Sequence, residues 1–185
     1  MSDAAASLNF ALSKAKLSSP LLSSLSRAEV AELAALATMR EVVAGEEVIH
    51  QGEEADWVGV VLTGALKAAI PHSERYARRP HAAAEAAVTA LQEWRMMACG
   101  AAVGEMALFS GLRRTARVEA ITDGSIAVIT FADLTERCSA ALSAKVRTEL
   151  ATIGMERLAG NMDTGASARD AEKQQQQEEQ LQQQQ

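Results

Sequence analysis

Aromatic residues are scarce: one Tyr, two Trp and three Phe make up 3% of 185 residues. The interior must therefore be built mainly from Leu, Val, Ile, Met and Ala, and an apolar content of 48% supplies enough of them for one core. Basic residues are outnumbered, 18 Lys and Arg against 24 Asp and Glu, which leaves a formal charge of -6. Counterion release needs many cations on one face, so a general nucleic-acid binder is not expected, whereas a local pocket for one small anion stays open. No apolar run approaches the roughly 18 to 20 residues of a membrane helix. The opening residues Met1 to Lys16 show no long apolar core and no cleavage signature. No membrane span and a cytoplasmic location are expected. Cys99 and Cys138 stand in no ligand-like spacing and fit a reducing compartment, packed as small apolar groups. His50, His72 and His81 do not form the converging array that a metal-dependent, cupin-type jelly roll needs. Neither a P-loop nor a nucleophile elbow is visible, so neither catalysis nor a cofactor is expected.

Residues 1–24 are rich in Ser, Ala and Leu and read as a flexible, at most weakly helical, lead-in. Ser26 and Glu29 have the spacing of a capping box, with Leu25 and Val30 at the staple positions. Val30, Leu33, Ala34 and Ala37 follow at helical spacing, which predicts a short helix over Arg27 to Thr38. From Met39 the period shortens. Apolar, β-branched runs broken by Gly45, Gly52 and Gly64 predict a small antiparallel barrel or roll. Residues 71–93 depart from that pattern and read as a helical insertion, its Arg75, Arg78 and Arg79 forming a solvated loop. Strand character returns near Arg95. The pair Asp123-Gly124 between two apolar runs predicts a hairpin. Leu142, Val146, Leu150 and Ile153 form one helical stripe. Residues 161–185 collapse in composition, with nine Gln among the last twelve, and read as a disordered tail.

The densest motif runs from Val103 to Val118. A glycine, Gly104, precedes a short apolar turn whose backbone amides can face an anion. Glu105 opens that turn, and Arg114 follows nine residues later with the small residues Thr115 and Ala116 behind it. A guanidinium matches a phosphate through its fork of donors, and a carboxylate accepts from ribose hydroxyls. The pattern suits a singly charged sugar phosphate. The same residues would equally serve as an exposed basic turn with Glu105 paired to an arginine.

The segment V-G-E-M-A-L-F-S-G-L-R-R-T-A-R-V resembles the phosphate-binding cassette of the cyclic nucleotide-binding domain family, most closely that of cyclic-nucleotide-gated and hyperpolarisation-activated channels. The order of the other motifs agrees: Leu25 to Arg40 is similar to the leading helix, Gly45 to Glu53 to a strand pair, and Trp57 to Gly64 to the strand after it. The resemblance covers about residues 25–160. It implies a mainly β fold with flanking helices, an eight-stranded β-roll or jelly roll between an N-terminal helix and C-terminal lid helices. It implies a non-catalytic regulatory module for cAMP or cGMP. Gly104, Met106 and Ala107 would offer amides to the cyclic phosphate, and Glu105 would accept from the ribose 2′-hydroxyl. Arg114 would pair with phosphate, Thr115 would touch phosphate or a guanine edge, and Ala116 would contribute its amide. The output would pass to an unidentified effector protein through movement of the C-terminal helix.

Three departures bear on this. Val103 replaces the usual Phe under the turn, Arg117 stands where a small residue is common, and the insertion replaces a short hairpin. Arg117, the insertion and the Gln-rich tail support an alternative, a degenerate member that binds no ligand and acts as an interaction or scaffold protein. A transcription factor of the catabolite-activator type is not expected, because no recognition-helix pattern follows Asp163.

Overall fold

The computed structural model describes residues 3–69 and 94–159, with side chains from residue 5 onward. Two compact units separate, residues 1–71 with 93–154, and residues 72–92 with 155–185. Of the second unit only 155–159, the end of the last helix, is described. The helical insertion expected over 71–93 and the Gln-rich tail lie outside the described residues.

Three helices come first: α1 (Asp3–Ala15), α2 (Pro20–Ser23) and α3 (Arg27–Leu36). Within the lead-in, expected to be flexible and at most weakly helical, Asp3–Ala15 and Pro20–Ser23 are helical. Leu8, Leu12 and Ala15 recur on one face of α1 and are buried, as are Leu21 and Leu22 of α2. The lysine side chain of Lys16 donates to the carbonyl of Leu25, closing the segment onto the start of α3. The capping box is formed: Ser26 Oγ accepts from the Glu29 amide at 3.2 Å, and Glu29 Oε2 accepts from the Ser26 amide at 2.6 Å. The helix is shorter than predicted because Thr38 opens the first strand.

Eight strands follow: β1 (Thr38–Val42), β2 (Glu47–Ile49), β3 (Trp57–Thr63), β4 (Leu66–Ala69), β5 (Trp94–Met97), β6 (Ala102–Val103), β7 (Val118–Ala120) and β8 (Gly124–Thr130). They form two antiparallel four-stranded sheets, β1-β8-β3-β6 and β2-β7-β4-β5. This is the β-roll with flanking helices. Strand β3 explains the near-continuous apolar run around Val58 to Leu62. Val58, Val60 and Leu62 face the helices, while Val61 faces the second sheet, so both faces are covered. Gly59 between them has no room for a Cβ, which would lie 2.7 Å from Ile126 Cγ2.

The predicted hairpin at Asp123-Gly124 is not formed. Strand β7 pairs with β2 and β4, and β8 pairs with β1 and β3, so this turn carries the chain from one sheet to the other. Gly124 is not among the glycines with positive φ that a two-residue hairpin of this sequence would need. Its missing Cβ instead lets the backbone cross Thr63 and Gly64, with Gly64 Cα only 3.0 Å from where a Cβ would sit.

After β8, Thr130 caps α4 (Phe131–Glu136), accepting from the Asp133 amide at 2.9 Å. The last helix, α5, spans residues 140–159. Leu142, Val146, Leu150 and Ile153 are all buried in the core they share with α1, α3 and β3, as their spacing predicts. Two carboxylates of α3 hold the start of α5. Glu32 accepts from the amide of Ser139 at 2.6 Å and from its hydroxyl at 3.2 Å, and Glu29 pairs with Lys145 at 3.2 Å.

Candidate functional site

Strand β6 ends at Gly104, whose φ of +84° turns the chain into a 3-10 helix, Glu105–Phe109. A side chain here would be strained by its backbone, and it would also collide with the guanidinium of Arg114. The turn buries Glu105 and Ala107 completely, leaves Met106 half-buried and exposes Phe109. Leu112 closes the loop through its amide to the Ala107 carbonyl at 2.9 Å.

Arg114 is held at its backbone from both sides. Its amide donates to the Glu53 carbonyl at 2.9 Å, and its carbonyl accepts from the Gly52 amide at 2.8 Å. One residue earlier, Glu54 and Arg113 form an isolated antiparallel bridge, and Ala55 donates to the Leu112 carbonyl at 2.7 Å. The β2–β3 connection thus fixes the loop that carries Arg114.

Arg114 is 5% exposed. Its Nη1 donates to the Gly104 carbonyl at 3.3 Å, and its Cζ lies 4.4 Å from the centre of the Trp57 ring. Burial pushes the guanidinium below its ordinary value, and the carboxylates of Asp56, Glu53 and Glu105 oppose that push, in that order. The group stays charged, because an arginine does not deprotonate near neutrality. A cation is thus kept in a largely water-free place, among three carboxylates and one indole. Glu105 and Arg114, the two residues singled out by the spacing, stand within electrostatic reach of each other and share the turn at Gly104. Thr115 and Ala116 follow half-buried on the way to β7.

Arg117 does not enter this place. Val118 and Ala120 are buried between the sheets, so alternation sends Arg117 and Glu119 to the outer face. There the Arg117 guanidinium sits 5.1 Å from the Trp94 ring, beside Lys67, which pairs with Glu119 at 2.9 Å. Val103, the substitute for Phe, is fully buried and packs against Gly59.

Glu53, Asp56 and Trp57 were not singled out by sequence reasoning. The signal was the acidic run Glu53-Glu54-Ala55-Asp56 ahead of an aromatic, but nothing in a linear pattern ties it to an arginine so far downstream. The ring of Phe109 also packs on Gly154 of α5, at 2.9 Å and 3.1 Å from the position of a Cβ there. Among the described residues no group of three or more His, Cys, Asp or Glu could hold a metal ion, and no helix is long and apolar enough to cross a membrane.

The family model described as "Cyclic nucleotide-binding domain" matches residues 39–141. Uncharacterized NTE family proteins of Mycobacterium bovis and Mycobacterium tuberculosis are each 29% identical over 131 residues, 69% of this chain. The match spans only 19% of those relatives' length. Among solved structures, a cyclic nucleotide-binding domain from Methylobacillus flagellatus is similar with a TM-score of 0.64 at 18% identity, covering 87% of this chain and 84% of that one. A triple mutant of the regulatory subunit of a cAMP-independent protein kinase A from Trypanosoma brucei, bound to cAMP in its A site, is similar with a TM-score of 0.60 at 18% identity, covering 90% and 53%. Thermus thermophilus catabolite activator protein gives a TM-score of 0.59 at 20% identity, covering 81% and 63%.

Proposed function

The chain belongs to the cyclic nucleotide-binding domain family, and from that premise we propose that it is a non-catalytic regulatory module that binds cAMP or cGMP in the cassette from Gly104 to Ala116. The observation that carries this reading is the buried, charged Arg114 beside the buried Glu105. Removing a cation from water costs several kcal/mol unless partners offset it. A phosphate supplies such a partner, and the guanidinium fork returns paired, charge-assisted hydrogen bonds.

In this reading Arg114 takes the phosphate and Glu105 accepts from the ribose 2′-hydroxyl. Amides after Gly104, together with the Thr115 hydroxyl and the Ala116 amide, complete the cradle. The base is left for the C-terminal helix to cover. Contact between Phe109 and Gly154 supports that coupling, because a shift of the cassette turn must displace the ring lying on α5. The helix position responds only to the extent that the nucleotide contacts its two positions differently. The signal then passes to an effector protein, with the cytoplasm as the place of action. Arg117 gives no support to a ligand-free scaffold role, since it faces away from the cassette.

A charge-assisted pair of this kind contributes about 1.5 to 3 kcal/mol. Calorimetry with cAMP and with cGMP is expected to show binding of at least one. The Arg114→Ala variant is expected to bind at least tenfold more weakly. Wild-type protein whose melting temperature stays unmoved at millimolar concentrations of both would select the scaffold reading instead.

A further inference from the structure

We propose that Trp57 is a positioning residue for the phosphate-binding arginine: its indole holds the Arg114 guanidinium by a cation–π contact that pre-orients the fork of donors. This rests on the reading of Arg114 as the phosphate ligand.

The Arg114 Cζ lies 4.4 Å from the ring centroid, well inside the roughly 6 Å over which such contacts act. Among the described residues this guanidinium has one hydrogen bond, to the Gly104 carbonyl, which at 3.3 Å is at the weak end of the range. The indole is therefore a tether in its own right, alongside the attraction of the Asp56, Glu53 and Glu105 carboxylates. A guanidinium presents its donors in its own plane, so an aromatic ring over it covers a face and leaves donor edges for an oxyanion. Tryptophan here dries the arginine and orients it without using up the donors that phosphate needs. A more mobile arginine would have to be ordered when the ligand arrives, and that cost would be subtracted from the affinity.

The ring is itself fixed. Trp57 opens β3 opposite Thr130 of β8. A second guanidinium, Arg40, lies 5.9 Å from the same ring, held by Glu46 at 2.8 Å and by the Val48 carbonyl at 3.3 Å. The Trp57 backbone also borders the cassette glycine, its carbonyl 3.3 Å from where a Cβ on Gly104 would sit. One residue thus touches the turn, the arginine and the scaffold strand. A mere packing role would depend on side-chain volume. The positioning role depends on the ring's electrostatics, which weaken from Trp to Phe and vanish in Leu.

The test measures cAMP and cGMP affinity by calorimetry in the wild type, Trp57→Phe, Trp57→Leu, Arg114→Ala and the double variant Trp57→Leu/Arg114→Ala. The NMR shifts of the Arg114 side-chain protons are recorded without ligand. Affinity is expected to fall a few-fold in Trp57→Phe and about fivefold to thirtyfold in Trp57→Leu. Adding Trp57→Leu to Arg114→Ala is expected to change nothing further. The wild-type Arg114 protons are expected to be shifted upfield by the ring, and to return to ordinary positions in Trp57→Leu. Should Trp57→Leu not fold, Trp57→Phe carries the affinity comparison. Wild-type binding with undiminished affinity in the Trp57 variants, or Arg114 protons without a ring shift, overturns this inference alone. Wild-type protein that binds neither nucleotide overturns the proposed function and this inference with it.

Discussion

Replacing Gly104 by alanine separates two reasons for a glycine. The first is conformational: φ is +84°, where an L side chain costs about 1 to 2 kcal/mol. The second is spatial: the added Cβ would collide with Arg114 Nη1 and lie 3.3 Å from the Trp57 carbonyl. Gly45 provides the control, since it has the same φ of +84° and nothing within 4 Å of a Cβ. Gly45→Ala is expected to lose only the backbone term, about 1 kcal/mol after the stiffer unfolded chain offsets part of it. Gly104→Ala must also push the guanidinium off its ring, which adds about 0.5 to 2 kcal/mol for the cation–π contact. Urea denaturation at constant m value reads both. A loss of roughly 1.5 to 3 kcal/mol is expected for Gly104→Ala. In an Arg114→Ala background the loss should shrink toward that of Gly45→Ala, because the obstacle is gone. Equal losses at Gly45 and Gly104, or a Gly104 loss that ignores Arg114, would refute the account of the site.

Three more outcomes follow from the packing. Leu150 of α5 is fully buried, so Leu150→Ala is expected to cost about 2 to 5 kcal/mol in chemical denaturation; a loss below about 1 kcal/mol would remove α5 from the core. The Glu29 and Glu32 carboxyls are held below their ordinary value of 4.5, chiefly by the Ser26 and Ser139 amides. The unfolded chain therefore takes up protons first as pH falls, and the stability these groups contribute is intact above 4.5 and lost below it. Melting curves from neutral pH down to pH about 3 should show this decline, and Glu29→Gln with Glu32→Gln should flatten it. Gly154→Ala would favour the helix by about 1 kcal/mol were the space free. With the Phe109 ring in the way, the gain should be smaller in the wild type than in a Phe109→Ala background, and equal gains would deny the contact.

Elements defined by local chemistry were legible in the sequence. Ser26 and Glu29 marked the start of α3 because a capping box is a relation over three residues. The stripe from Leu142 to Ile153 marked the buried face of α5 because its period belongs to the helix itself. Elements defined by distant partners were not. In α1 the Leu8, Leu12 and Ala15 face was diluted by Ala and Ser on every side, so its contrast was low until β3 supplied a surface. The Asp123-Gly124 pair looked like a hairpin because hairpins and sheet-crossing corners both want glycine, one for φ and the other for close approach. At the site, Gly104, Glu105 and Arg114 lay in one contiguous motif and could be read together. Glu53, Asp56 and Trp57 surround the same guanidinium only because the β2–β3 connection is bridged to the cassette loop by backbone hydrogen bonds. Arg117 could be placed on a face by alternation, but which face was toward the ligand had to await the buried Val118 and Ala120.

A crystal structure of the chain grown with cAMP or cGMP tests the central claim most directly. The account predicts nucleotide density in the cassette, a phosphate oxygen within hydrogen-bond distance of the Arg114 guanidinium, and the ribose 2′-hydroxyl on Glu105. A saturated crystal with Arg114 still engaged only by Trp57 and Gly104, and the nucleotide absent or bound elsewhere, would contradict it.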